Sequence, residues 1–232
     1  MKNIIVQINI SKKGWEEENR LNAGSEEIFI LSTVLARNYA KKYNSEYKLI
    51  SQPIINFKHP TWERFQFFED KWINNYNHIL YLDTDVLAWP SSPNIFEFLD
   101  NRAFNVVKHC NNKYFNNLPM FNAGVFAINK NCALKMKKYI SKKIWLENFT
   151  KDPLWEDSKE LNTIAQKKDI RMNWLDAKWN MKNTPNAYFT HLWGKMKKKY
   201  PNMPSILKAK ILAKDIIFSS DQLKREFNIT FK

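Results

Sequence analysis

The 232-residue chain sets 37 Lys and Arg against 23 Asp and Glu, a formal net charge of +14, and is 44% hydrophobic and 15% aromatic. That length and apolar content fit one domain with a closed core, or one domain and a modest appendage. Only four glycines occur, in neither the GxGxxG nor the GxxxxGK[ST] pattern, which excludes a glycine-rich phosphate loop and leaves metal and side chains to hold any nucleotide.

Residues 3–10 read as a first strand, followed by a polar loop over 11–24. Ser25 is a candidate N-cap, with Glu26 and Glu27 favourable in a first turn. Ile28, Leu31, Leu35 and Tyr39 then keep helical spacing to residue 43, and 47–51 read as a second strand. This β-α-β opening predicts a parallel, doubly wound α/β sheet. Residues 59–75 predict a helix entered through Pro60, which delivers the chain to the apolar run at 79–82. Beyond it, 89–93 is proline-broken, 95–99 a short helix and 105–108 a strand. An apolar strand over 121–128 is interrupted by Asn122 and Gly124. Helices are expected at 132–140 and 155–167, the second carrying Glu156, Asp157 and Asn162. Residues 174–180 read as a loop or edge strand, and 187–192 as a last strand running into His191.

The chemistry is densest in the stretch NHILYLDTDVLAWP, residues 77–90. Ile79 to Leu82 has the pattern of a strand buried on both faces, and it stops at Asp83-Thr84-Asp85. In extended backbone residues i and i+2 point the same way, so both carboxylates would face one side, roughly 6–7 Å apart. Two uncompensated carboxylates at the mouth of a buried strand repel each other and lose solvation, and a divalent cation removes both penalties. Ligands of open α/β sheets bind beyond the carboxyl ends of the strands, where this pair falls. The competing reading is a polar turn after a strand.

Asn122-Ala123-Gly124 lies inside an apolar strand, so it is either a β-bulge with a hydrogen-bonded core Asn or a substrate contact. The segment HLWGKMK, from His191 to Lys197, is the second cluster. A neutral imidazole can complete a metal's coordination, Gly194 lets backbone N–H approach an anion, and Lys197 supplies a point charge for phosphate. Singly, each has an ordinary explanation as a hydrogen-bonded strand-end His or a solvated charge run. His, Gly and Lys at intervals of three form a combined metal and phosphate pattern.

Together these segments resemble the metal-dependent GT-A glycosyltransferases, in particular the retaining family 8 group that includes glycogenin and bacterial lipopolysaccharide galactosyltransferases. The pieces that carry the resemblance are Trp62-Glu63-Arg64, ILYLDTDVL, FNAGVFAIN, Asp157 with Leu161-Asn162, LDAKWN and HLWGKMK, in the family's order from Arg64 to Lys197. The resemblance implies a GT-A catalytic domain over 1–200, with a Rossmann-like, mostly parallel central sheet flanked by helices. A basic helical extension over 201–232 would pack on or beside it. It also implies transfer of a hexose-type sugar, with retention, from a nucleoside-diphosphate sugar, UDP by preference. The acceptor would be a hydroxyl of a glycan, glycolipid or glycoprotein.

By the same resemblance Asp83, Asp85 and His191 would hold manganese, with magnesium the alternative; manganese accepts an imidazole more readily. Gly194 and Lys197 would hold the diphosphate, and Thr84, Ala123 and Gly124 would line the donor site. Arg64, Asn122 and Asp157 would contact the donor sugar or the reacting centre, with Asp157 steadying it and Glu156 the alternative. The chain departs from the family in three places. Asp157-Ser158-Lys159 stands where relatives have Asp-Gln-Asp, Lys198-Lys199 where they have Pro-Trp, and Asn9 and Ser11 where an aspartate is usual.

Two other readings compete. The net charge of +14 suits a nucleic-acid-binding protein, but the Trp and Phe residues sit among apolar neighbours, and no nucleic-acid partner is expected. A sugar nucleotidyltransferase on the same fold would need a glycine-rich amino-terminal loop, which residues 8–14 do not resemble. Cys110 and Cys132 form neither a metal-site spacing nor a disulfide framework and read as reduced core thiols. No stretch has the apolar length of a membrane span, and no signal peptide is visible, so a soluble cytoplasmic protein is expected. Residues 195–232 hold ten basic residues against three acidic ones, a candidate for peripheral contact with a membrane or a solvated face.

Overall fold

The computed structural model describes residues 1–10, 26–55, 60–111, 119–140, 156–167, 169–182 and 187–192. The expected opening is present: β1 (Lys2–Ile8) and β2 (Glu46–Ile50) pair in parallel on either side of α1 (Glu26–Lys42) in the chain. Leu31, Leu35 and Tyr39 are buried on α1, as their spacing requires. The helix closes in a Schellman arrangement, with Ser45 N–H donating to Ala40 O (2.9 Å) and Asn44 N–H to Lys41 O (3.3 Å). Asn44 takes the left-handed conformation, at φ 49°, that this ending needs.

The next segment corrects the sequence expectation. Residues 59–75 are not one α-helix but a 3-10 segment (Pro60–Phe68) and a single turn, α2 (Asp70–Ile73). Every residue from Trp62 to Phe68 is buried, so no solvent face imposes a 3.6-residue period. Three residues per turn instead align Trp62, Phe65 and Phe68, whose rings lie 5.1 and 6.2 Å apart in sequence. Two ionic side chains leave this apolar rod. Glu63 Oε2 accepts from the N–H groups of Ile54 and Ile55, both at 3.0 Å, and Arg64 reaches the end of the next strand.

That strand, β3 (Tyr76–Leu82), joins β5 (Phe104–Asn111), β6 (Pro119–Ile128) and β7 (Met172–Leu175) in a six-stranded sheet of order β2-β1-β3-β6-β5-β7. The sheet is parallel except for β6, which runs against both β3 and β5. Period-two alternation divides the core. Ile79 and Tyr81 face the 3-10 segment, α3 (Lys130–Lys137) and α4 (Glu156–Ala165), whereas Leu80 and Leu82 face α1.

A second, three-stranded sheet of order β4-β9-β8 lies on the α1 side. It comprises β4 (Val86–Ala88), β8 (Met181–Lys182) and β9 (Phe189–His191). Residues 187–192 therefore do not extend the central sheet, and β4 falls at 86–88, between the acidic pair and the proline-broken stretch 89–93, where no element was read from the sequence. Three residues are enough for β4 because its partner β9 supplies the pattern. Among the described residues no helix is long and apolar enough to cross a membrane. The expected basic extension at 201–232, Gly194 and Lys197 lie outside the described residues.

α4 is fixed to β6 by one side chain. Asn162 Oδ1 accepts from Phe121 N–H (3.1 Å), and its Nδ2 donates to Phe121 O (3.0 Å) and to Ser158 O (2.8 Å). Replacing it strands both main-chain groups of Phe121 in the core. Asn162→Ala is expected to cost about 2–4 kcal/mol, read as a lower urea midpoint at unchanged slope.

Candidate metal and donor site

The two carboxylates converge by a turn rather than by strand alternation. β3 ends at Leu82, and residues 83–86 close on themselves through Val86 N–H donating to Asp83 O at 3.0 Å. Val86 then pairs with His191 across β4 and β9, and Leu192 N–H donates to Asp85 O at 2.9 Å. The small sheet thus carries an imidazole from more than a hundred residues away to the mouth of β3. His191 Nε2 lies 3.2 Å from Asp85 Oδ1 and 3.8 Å from Asp83 Oδ2. One ligand atom from each of Asp83, Asp85 and His191 falls within 4.8 Å of the other two.

The surrounding groups determine which atoms face inward. Asp83 Oδ1 is occupied by the Tyr81 hydroxyl (2.6 Å) and by Arg64 Nη2 (3.2 Å), so Oδ2 is the oxygen turned to His191. His191 Nδ1 stands 2.8 Å from Asn180 Oδ1. That oxygen can only accept, which puts a proton on Nδ1 and turns Nε2 to the two carboxylates, the orientation of a metal-ligating histidine. A lone pair and two carboxylates facing one another need positive charge between them. A proton on Nε2 relieves part of that repulsion, whereas a divalent cation relieves all of it and takes a nitrogen and two oxygens as ligands. The donor set fits the manganese or magnesium ion expected from the sequence.

β6 reaches this group through a bulge. Val106 pairs with Phe126 and Lys108 with Phe121, so on the β5 side residues 122–125 of β6 stand against Val107 alone. The bulge reading of Asn122 holds, and the bulge lies beside Asp83 and His191. Asn122 Oδ1 accepts from Gly124 N–H (2.8 Å), Gly124 O accepts from Asp83 N–H (2.8 Å), and Ala123 O accepts from Arg64 Nη1 (2.9 Å). A Cβ on Gly124 would lie 2.2 Å from His191 Cε1 and 2.7 Å from Asp83 Oδ2, so only glycine lets the imidazole seat against this strand.

Arg64 and Asp157 complete the inner wall, both buried. Arg64 Nε donates to Thr61 O (2.9 Å) and lies 3.1 Å from Asp157 Oδ2, an ionic contact without hydrogen-bond alignment. Burial alone would lower the Arg64 pKa, but Asp157, Tyr81, Asp83 and Asp85 raise it, so the guanidinium stays charged. Burial raises the Asp157 pKa, against the pull of Arg64, and Oδ2 has no hydrogen-bond donor among the described residues. Burial also raises the Tyr81 pKa, so its hydroxyl remains a donor to Asp83.

Of the residues singled out in the sequence, Arg64, Asp83, Asp85, Ala123, Gly124, Asp157 and His191 are brought together by these contacts. Asn122 braces the bulge, and Thr84 lies half-buried within the turn. Glu156 opens α4, but its side chain, Gly194 and Lys197 lie outside the described residues. Tyr81 and Asn180 had no role assigned from sequence. Their signals were a hydroxyl in an apolar run two residues before Asp83 and an amide closing LDAKWN.

No protein-family model matches the chain, and no curated protein matches it in sequence. Solved structures do match in three dimensions. One is the galactosyltransferase LgtC in complex with donor and acceptor sugar analogues, at TM-score 0.58 and 15% identity, covering 96% of this chain and 99% of that one. The fold is that of the GT-A glycosyltransferases. A glycosyltransferase involved in glycosylation of the major capsid of PBCV-1 matches 86% of this chain and 100% of its own, at TM-score 0.56 and 16% identity. The catalytic domain of Drosophila β1,4-galactosyltransferase 7 in complex with xylobiose matches 84% of this chain and 73% of its own, at TM-score 0.50 and 12% identity.

On this GT-A scaffold two substitutions separate the metal geometry from the rest. Gly124→Ala pushes a methyl into the imidazole, and Asn180→Leu removes the group that orients it. Each is expected to weaken Mn²⁺ binding about 10–100-fold while the circular dichroism spectrum is retained, as isothermal titration with the metal will measure.

Proposed function

We propose that the protein is a glycosyltransferase that moves a hexose-type sugar from a nucleoside-diphosphate sugar, UDP-linked by preference, to an acceptor hydroxyl. One observation carries the reading: Asp83, Asp85 and His191 offer three ligand atoms within 4.8 Å at the carboxyl end of β3 in a GT-A fold. Asp83 through Oδ2, Asp85 through Oδ1 and His191 through Nε2 would hold manganese, or magnesium in its place. A bound divalent cation supplies positive charge to a departing diphosphate.

The protein's own groups would do the rest. Arg64 holds Asp83 and Asp157 at fixed separation, and Tyr81 fixes the rotation of the Asp83 carboxylate. Asp157 Oδ2, buried without a hydrogen-bond donor, is suited to accept a hydroxyl of the donor sugar and to steady positive charge at its anomeric carbon. Glu156 is the alternative for that role. Asn122, with Oδ1 engaged by Gly124, would offer the donor its amide N–H groups, and Thr84 lies between the two aspartates. Gly194 and Lys197 would close on the diphosphate with backbone N–H and ammonium.

The acceptor is proposed to be a glycan, glycolipid or glycoprotein. LgtC was solved with donor and acceptor sugar analogues, and another structural neighbour takes part in glycosylation of a capsid. Retention of configuration, a cytoplasmic location and contact of the basic segment 195–232 with membranes belong to the same proposal.

Asp85→Ala tests it. Metal-dependent hydrolysis of a UDP-sugar, followed by UDP release, is expected to fall about 10²–10³-fold at unchanged fold. Full turnover by the variant, or equal turnover of the wild type in chelator, would end the reading.

A further inference from the structure

The turn that carries Asp83 and Asp85 is held from beneath by a buried polar chain outside the ligand set. Gln7 lies inside the apolar strand β1 and Ser32 on the inner face of α1, both with no exposed surface. Gln7 Nε2 donates to Asp83 O (3.1 Å) and to Ser32 Oγ (2.9 Å), which uses both amide hydrogens. Ser32 Oγ in turn donates to Val86 O at 2.6 Å. The remaining amide atom, Gln7 Oε1, accepts from the Tyr47 hydroxyl on β2 at 2.9 Å. Three elements therefore converge on two carbonyls, and those carbonyls belong to the first and last residues of the turn.

This placement has a consequence for the metal ligands. Gln7 and Ser32 satisfy main-chain carbonyls that would otherwise lose a partner in the core, and in doing so they fix where those carbonyls stand. What the chain adds is position. The Asp83 carbonyl is held by Gln7 and by the turn's own Val86 N–H, and the Val86 carbonyl by Ser32. With both ends fixed, Asp85 has little freedom to swing its carboxylate away from Asp83 Oδ2 and His191 Nε2. Like-charge repulsion between the two carboxylates would otherwise open the turn in the absence of metal.

We infer that Gln7, Ser32 and Tyr47 are positioning residues of the metal site: they hold the Asp83–Val86 turn in its ligating shape before a cation arrives. The hydrogen bonds of the three run to one another and to main-chain carbonyls of the turn, so they act on affinity through the backbone. Ser32→Ala removes one oxygen, and Gln7→Met keeps the volume of the side chain but makes no hydrogen bond.

The inference rests on the reading of Asp83, Asp85 and His191 as metal ligands, and the experiment separates the two. Free Mn²⁺ is followed by its solution EPR signal as the protein is titrated with MnCl₂ alone, with thermal melts of the metal-free proteins alongside. Wild type is expected to bind one equivalent. Ser32→Ala and Gln7→Met are expected to raise the dissociation constant about 10–100-fold, the effect of losing outer-shell support. Tyr47→Phe, which deletes one hydroxyl at the far end of the chain, is expected to raise it less and keeps a folded variant in hand. Lower melting temperatures with dissociation constants within twofold of wild type for Ser32→Ala and Tyr47→Phe would make the chain purely structural and overturn the inference. Absence of Mn²⁺ binding by the wild type would instead remove the metal reading beneath it.

Discussion

A guanidinium sealed from water is the constraint around which this molecule is arranged. An unpaired buried charge costs several kcal/mol, so Arg64 must be surrounded before the core can close. Its three nitrogens meet the Asp83 carboxylate, the Ala123 carbonyl and the Thr61 carbonyl, with Asp157 in ionic contact. Those partners come from the end of β3, the β6 bulge, the 3-10 segment and the first turn of α4. One side chain therefore sets the relative positions of four elements, and the site exists because those four meet. The charges do not balance without a further partner. Arg64 faces Asp83, Asp85 and Asp157, and when all three are ionised the surplus is two negative charges, the complement of one divalent cation. Burial is the main cause of the raised Asp157 pKa, with Arg64 opposing it and Asp83 adding to it.

Much of this was legible in the chain because local pattern and tertiary demand agree. Ile79 to Leu82 is a buried strand, Leu31, Leu35 and Tyr39 do face inward, and the acidic pair does sit at the carboxyl end of a strand. Disagreement arose where packing overrides local preference. A rod buried on every side carries no amphipathic period, so residues 60–68 looked like any apolar helix while their stacked rings favour the tighter winding. The reversed direction of β6 leaves no mark on an apolar strand, because a parallel and an antiparallel neighbour bury the same side chains. Val86–Ala88 is too short to show alternation, and only its pairing with Phe189–His191 defines it.

Side chains whose work is done on the backbone were the least visible. Gln7 is an ordinary amide in sequence, and nothing in the spacing of residues 7 and 83 hints that they meet; Asn162 and Asn180 stood out only as members of motifs, with no partner to assign. Each satisfies main-chain groups or a single ring nitrogen far away in the chain. Carboxylates and histidines draw notice because their chemistry is exposed by type, whereas an amide gains a role only from its partner. The His191 assignment rested on the motif HLWGKMK, and the structure gives the physical reason for its reach: β9 pairs with β4, which begins one residue after Asp85.

The bulge in β6 answers a geometric problem that a regular strand cannot solve. Strand alternation would send the side chains of residues 122 and 124 to one face and that of 123 to the other, with every carbonyl committed to a neighbouring strand. The site needs three things on one edge: a carbonyl for Arg64, a main-chain group for Asp83, and an empty volume for the imidazole. Setting four residues against one on the β5 side frees the Ala123 carbonyl for Arg64, while the Gly124 carbonyl still takes the Asp83 N–H in the register that pairs Leu82 with Val125. Asn122 then caps the freed Gly124 N–H, so the irregular backbone strands no donor there. Glycine supplies the empty volume, since any Cβ would stand inside the contact distance of His191. The sequence Asn-Ala-Gly is thus read position by position: a short side-chain acceptor, a small buried residue that passes its carbonyl inward, and a residue with no side chain at all.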